Sequence, residues 1–196
     1  AKGSKKADIT FSAEETVLQD LLAGKFRLRA HVHKIDDIAS LLRLVDDYKL
    51  KLTVEHASDV HRPEIFQALK QRNIPVVYGP IDSFSHKVEL KHEDWRNIRH
   101  LLAAGVEFGL MTDHPVTLAR QLLLQTRWFM RAGLSRQQAI ELISRHNAQI
   151  IGIDALIGTL QKGKWASFVC WNGDPFDLTS YPVAVYGEGE LLYSAS

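Results

Sequence analysis

Four times in succession a short apolar run gives way to a loop and then to a segment whose apolar residues recur at helical spacing, a pattern few folds accommodate. The runs are Phe26 to His33, Leu50 to His56, Ile74 to Tyr78 and Val106 to Met111. Behind the first, Ile35, Ile38, Leu41, Leu42 and Val45 mark an amphipathic helix with an acidic first turn. Pro63 to Gln71 follows the second, Trp95, Ile98, Leu101 and Leu102 the third, and Pro115 starts a helix after the fourth. Strands alternating with helices predict an α/β chain with a parallel sheet, either open and doubly wound or part of a (β/α)8 barrel. In both, chemistry belongs at the carboxyl ends of the strands.

An earlier helix is expected over Ala13 to Ala23, with Val17, Leu18, Leu21 and Leu22 on one side, Ser12 as its cap and Gly24 as its end. Ser135-Arg136-Gln137-Gln138 has the form of a capping box and opens a helix from Gln137 to Ser144, with a short one following to Gly152. Beyond that point glycines and prolines punctuate the runs Ala166 to Trp171, Val183 to Tyr186 and Leu191 to Tyr193, which predict a small β element turning at Glu188-Gly189. The expected division is residues 1–152 for the βα units and their closing helices, and 153–196 for the β element.

The strand ends carry the chemistry. Side chains alternate along a strand, so His31 and His33 share a side and can reach one cavity. The second strand ends in Glu55-His56 and the fourth runs into Thr112-Asp113-His114. Imidazole is the commonest metal-binding side chain. Each residue also has a plainer reading: the histidines as hydrogen-bonded groups in a polar cavity, Asp113 as the cap of a helix with proline in its first turn. Their recurrence at three strand ends favours a site. His61, His86, His92, His100 and His146 fall in loops or on polar helix surfaces and read as solvated side chains.

Charge narrows the ligand. Among 196 residues, 24 Lys and Arg against 23 Asp and Glu leave a net charge of +1, which recruits neither nucleic acid nor an anionic membrane, so a small molecule is expected. The lone Cys170 forms no internal disulfide and reads as a small core residue in a reducing compartment. No uncharged apolar stretch approaches the ~18 residues of a membrane span, and Ala1 to Lys6 lacks a signal peptide's apolar segment. The expected localisation is cytoplasmic.

The order His31-Val-His33-Lys-Ile-Asp36-Asp37-Ile38, then Val54-Glu55-His56, then Met111-Thr112-Asp113-His114-Pro115 resembles the second half of the amidohydrolase superfamily, closest to its imidazolonepropionase-like branch. The tail is the more specific match. Ile157-Gly158-Thr159-Leu160, Lys162-Gly163-Lys164 and Trp171-Asn172-Gly173-Asp174-Pro175-Phe176-Asp177 resemble that family's I-G-S-L, P-G-K and W-x-G-D-P-F-D pattern. The resemblance implies the C-terminal half of a metal-dependent (β/α)8 TIM barrel with a portion of a small β-sandwich. It implies metal ligation by His31, His56 and Asp113, catalytic roles for Asp113 and His56, and a substrate contact for His33. The implied cofactor is a divalent metal, zinc first, with iron, manganese or nickel as alternatives. The implied reaction is hydrolysis of a C–N bond in a small cyclic or linear amide by activated water.

The family's His-x-His after the first barrel strand has no counterpart before Phe26. Four βα units cannot close an eight-stranded barrel, so the chain is expected to be inactive alone and to associate with itself or with a separate first half. The rival reading is a non-catalytic α/β binding or assembly module with structural histidines.

Overall fold

A computed structural model describes residues 11–83 and 87–195. The polar start, Ala1 to Lys6, and His86 lie outside the described residues. The expected alternation is present: α1 (Ala13–Leu22), β1 (Leu28–Val32), α2 (Ile35–Tyr48), β2 (Leu52–His56), α3 (Pro63–Gln71), β3 (Val76–Tyr78), α4 (Ile98–Ala104) and β4 (Phe108–Leu110). The four strands form one parallel sheet in the order β1-β2-β3-β4. Every residue of β2, β3 and β4 is buried, as expected of parallel strands covered on both faces, whereas β1 alternates half-buried with exposed positions. The core joins Ile38 and Leu42 of α2 to Val54, Phe66, Leu69, Val76, Ile98, Leu101 and Leu110.

Three helices close the outer side of β4: α5 (Leu122–Arg131), α6 (Arg136–Leu142) and α7 (Arg145–Ile151). Ser135 and Gln138 make the predicted capping box, and Gly152 ends α7 in the left-handed conformation. From α7, the Asn147 side chain accepts from Leu110 N at 3.1 Å and donates to Leu110 O at 2.9 Å, supplying bonds that a neighbouring strand would otherwise make. A β-carbon on Gly109 would lie 1.9 Å from Asn147 Oδ1, so only glycine admits this approach. His146, expected to be solvated, bonds Phe108 O through Nδ1 at 3.1 Å.

One local expectation needs correction. No helix starts at Pro115. Asp113 has φ 51°, outside the extended geometry of an N-cap; Val116 N closes a turn on Asp113 O, and α5 begins only at Leu122. The expected α1 is present with Ser12 and Glu15 forming a capping box, and its Val17, Leu18 and Leu22 are all more than half exposed.

The tail forms a separate antiparallel sheet, β5 (Phe168–Trp171), β6 (Pro182–Gly187) and β7 (Glu190–Ser194). Glu188 and Gly189, at φ 54° and 91°, make the two-residue hairpin turn read from the sequence. Cys170 lies half-buried on β5, outside the main core, because that small sheet leaves its faces largely open.

Candidate metal centre

His31, His33 and His56 meet at the carboxyl ends of β1 and β2. One ligand atom from each lies within 4.8 Å of the others, and the ring centroids are separated by 4.9 Å (His31–His33), 4.2 Å (His31–His56) and 4.4 Å (His33–His56). His33 and His56 are buried and His31 is exposed, so the group opens to solvent on one side.

The backbone at the end of β2 aims His56. His56 lies opposite Val32 in the register while His31 lies opposite Glu55, so strict alternation would turn His56 away from His31. Its φ of 77°, followed by 53° at Ala57, breaks the alternation and brings the ring against His31. Asp113, at the end of β4, shares this conformation. Left-handed backbone at a non-glycine residue costs about 1–3 kcal/mol and clusters at functional sites.

Gly79 fixes the imidazole tautomer. The carbonyl of Gly79 can only accept, so His56 Nδ1 carries a proton and donates to it at 2.7 Å, leaving the Nε2 lone pair for a ligand. Gly79 itself has φ +130°, and a β-carbon there would come within 2.3 Å of Met111 O. One layer beneath, Arg29 donates through Nε and a terminal nitrogen to the buried Glu55 carboxylate at 3.0 and 2.8 Å, and the Thr53 hydroxyl donates to it at 2.7 Å. Glu55 thus ties β1 to β2 directly below the histidines.

Burial pushes His33 from 6.5 down to about 4, with His56 adding to the effect, and burial also lowers His56. Both imidazoles are therefore neutral at pH 7, the form that binds metal. Between about 4 and 6.5 the unfolded chain takes up a proton that folded His33 refuses. The metal-free chain should consequently keep its full stability above about 6.5 and lose it progressively as pH falls toward about 4. Denaturant midpoints across that range check this, and His33→Gln should flatten the profile; an unchanged slope in the variant would refute the assignment.

The tight group contains His33 with His31 and His56 and leaves Asp113 outside it. Asp113 lies close enough for its charge to favour protonated His56, which places it at the margin of the site. His114 turns away and accepts from Ala119 N. What the reading of His61 and His92 as solvated side chains missed is a shared partner. Both meet Asp59 in a second cluster, with a ligand atom of each residue within 4.8 Å of the others. His92 follows Asp59 by 33 positions, so no spacing in the sequence could have paired them.

A parallel sheet that gathers imidazoles at the carboxyl ends of its strands places them where α/β sheets and barrels carry their chemistry. The comparisons agree: residues 4–191 match the model of the Amidohydrolase family, and the chain belongs to that family. The amidohydrolase tasK of Hapsidospora irregularis is 22% identical over 193 residues, which cover 97% of this chain and 20% of that protein. The crystal structure of an amidohydrolase from Thermotoga maritima superposes with a TM-score of 0.89 at 32% identity, over 97% of this chain and 49% of that one. A prolidase complexed with N-methylphosphonate-L-proline shares the fold at a TM-score of 0.70 and 17% identity, over 94% of this chain and 50% of its own. The chain thus spans about half the length of these structures and forms a partial barrel.

The residues present fit a metal. Three neutral-capable imidazoles converge, His56 has its second nitrogen already oriented, and His33 Nδ1 is buried without a hydrogen-bond partner among the described residues, a cost of about 1–3 kcal/mol that a bound ligand would relieve. No helix among the described residues is long and apolar enough to cross a membrane.

Proposed function

We propose that this chain supplies the metal-binding and proton-handling half of an amidohydrolase that cleaves a C–N bond in a small cyclic or linear amide, in the cytoplasm. The convergence of His31, His33 and His56 at two strand ends carries the reading. His31 and His56 hold a divalent metal, zinc being the first expectation for imidazole ligands, with iron, manganese or nickel as alternatives. A cation held there would supply an activated water near neutral pH and a Lewis acid for the scissile carbonyl. Asp113 takes the water's proton on its carboxylate and passes it to the leaving nitrogen. Gly79 O would hold the His56 Nδ1 proton in place and so keep the Nε2 lone pair available for ligation. His33, packed against both rings, contacts the substrate.

The sheet ends at β1 with an exposed face and α1 leaves its apolar stripe open, so the active form is an assembly in which further βα units complete the barrel. The test mixes this chain with a polypeptide supplying the first four βα units and assays dipeptides, N-acyl amino acids and cyclic amides. Hydrolysis that is lost on chelation and restored by Zn2+ is expected. A tight metal-free homodimer, inert with every partner and substrate, would favour the binding module instead.

A further inference from the structure

The second cluster has its own construction. Asp59 lies in the loop after β2, and its side chain is only 4% exposed. Among the described residues no lysine or arginine forms an ion pair with it, although Lys34 is near enough for the Asp59 charge to favour its protonated form; Oδ1 accepts from the backbone N–H of His92, and His92 Nδ1 lies 3.1 Å from Oδ2. A carboxylate withdrawn from water needs compensating positive charge close by, and the one imidazole in contact with it supplies that only when protonated. His61 packs against His92 with ring centroids 4.4 Å apart, and its Nδ1 donates to the Asp59 carbonyl at 2.9 Å, which leaves the Nε2 lone pair of the neutral ring free.

The scaffold holds these groups before any ligand arrives. His92 sits between two 3-10 turns, Val88–Leu90 and Trp95–Asn97, and its carbonyl accepts from the side chain of buried Asn97 at 2.8 Å. The Asp59 loop is tied down as Ala57 N donates to Val32 O and Val60 N to Ala57 O. His61 directly precedes Arg62 and Pro63, where α3 begins. His92 is exposed and His61 half-buried, so the buried carboxylate forms the floor and the imidazoles the rim of an accessible site.

We propose that Asp59, His61 and His92 form a second binding site, for a divalent transition cation of the zinc class, which staples the β2–α3 loop to the β3–α4 loop. Two imidazoles and one carboxylate are a donor set suited to such ions, and a fourth position is left for water. The 3.1 Å between Asp59 Oδ2 and His92 Nδ1 is close to the roughly 3.3 Å that separates two donors each about 2.0 Å from a tetrahedral ion. The site does not depend on the hydrolytic reading, because it shares no residue with His31, His33 and His56.

The experiment uses the full chain, stripped of metal, in a His31→Ala background that weakens the strand-end centre. Zn2+ is titrated in competition with a chromophoric chelator, and Co2+ is followed by visible absorption. One equivalent of Zn2+ should bind, raising the thermal midpoint. His61→Ala added to this background should weaken that binding about tenfold or more and remove the thermal shift. His61→Ala leaves both Asp59–His92 contacts in place, so it separates ligation from a mere structural brace. His92→Gln provides a second variant with the same expected loss. No Zn2+ binding in the His31→Ala background, or affinity unchanged by His61→Ala and His92→Gln, would overturn the proposal.

Discussion

His56→Ala is expected to abolish both metal binding at the strand-end centre and hydrolysis by the assembled barrel, whereas Asp113→Asn is expected to keep the metal and lower turnover roughly 100- to 10,000-fold. The contrast follows from position. His56 is buried in the imidazole group with its Nδ1 committed to Gly79 O, so its loss would remove a proposed ligand atom and open a cavity beside His33. Asp113 stands outside that group, and its proposed part is to move a proton. Asparagine is suited to the comparison because it tolerates the left-handed backbone that Asp113 adopts at φ 51°, so the loop should survive. Metal content and kcat measured on the same preparations separate the two effects. Wild-type turnover by either variant would defeat the site assignment.

Gly79→Ala should destabilise the fold by on the order of 3 kcal/mol and weaken metal binding as well. At φ +130° an L residue is strained whatever the space, and the added β-carbon would meet the Met111 carbonyl, part of the backbone, at 2.3 Å. Relief requires β3 and β4 to part where Met111 N bonds Tyr78 O. The same movement would carry away the Gly79 carbonyl that orients His56. A denaturant midpoint together with Zn2+ affinity checks both halves. A variant as stable as wild type would show that β3 and β4 do not approach so closely.

Much of the fold was legible because its signals are local. Apolar periodicity located all four strands and the helices behind the first three, the Ser135 box and Gly152 bounded the late helices, and Glu188-Gly189 turned the last hairpin as its residue types require. The same locality misled at Pro115, where a helix-starting residue follows an aspartate whose left-handed backbone forms a turn instead. At α1 local signals located the helix and its Ser12 cap, while Val17, Leu18 and Leu22 stay more than half exposed.

By itself, the sequence determined which residues stand at the strand ends: His31 and His33 on one side of β1, His56 at the end of β2 and Asp113 after β4. Only the tertiary structure decided how they combine. Strand alternation says nothing of the left-handed turn that swings His56 onto His31, of Gly79 selecting the tautomer, or of a carboxylate at Asp59 meeting an imidazole 33 positions away. Periodicity is a property of neighbours along the chain, and ligation is a property of neighbours in space. The second is set only when the sheet and its loops are packed.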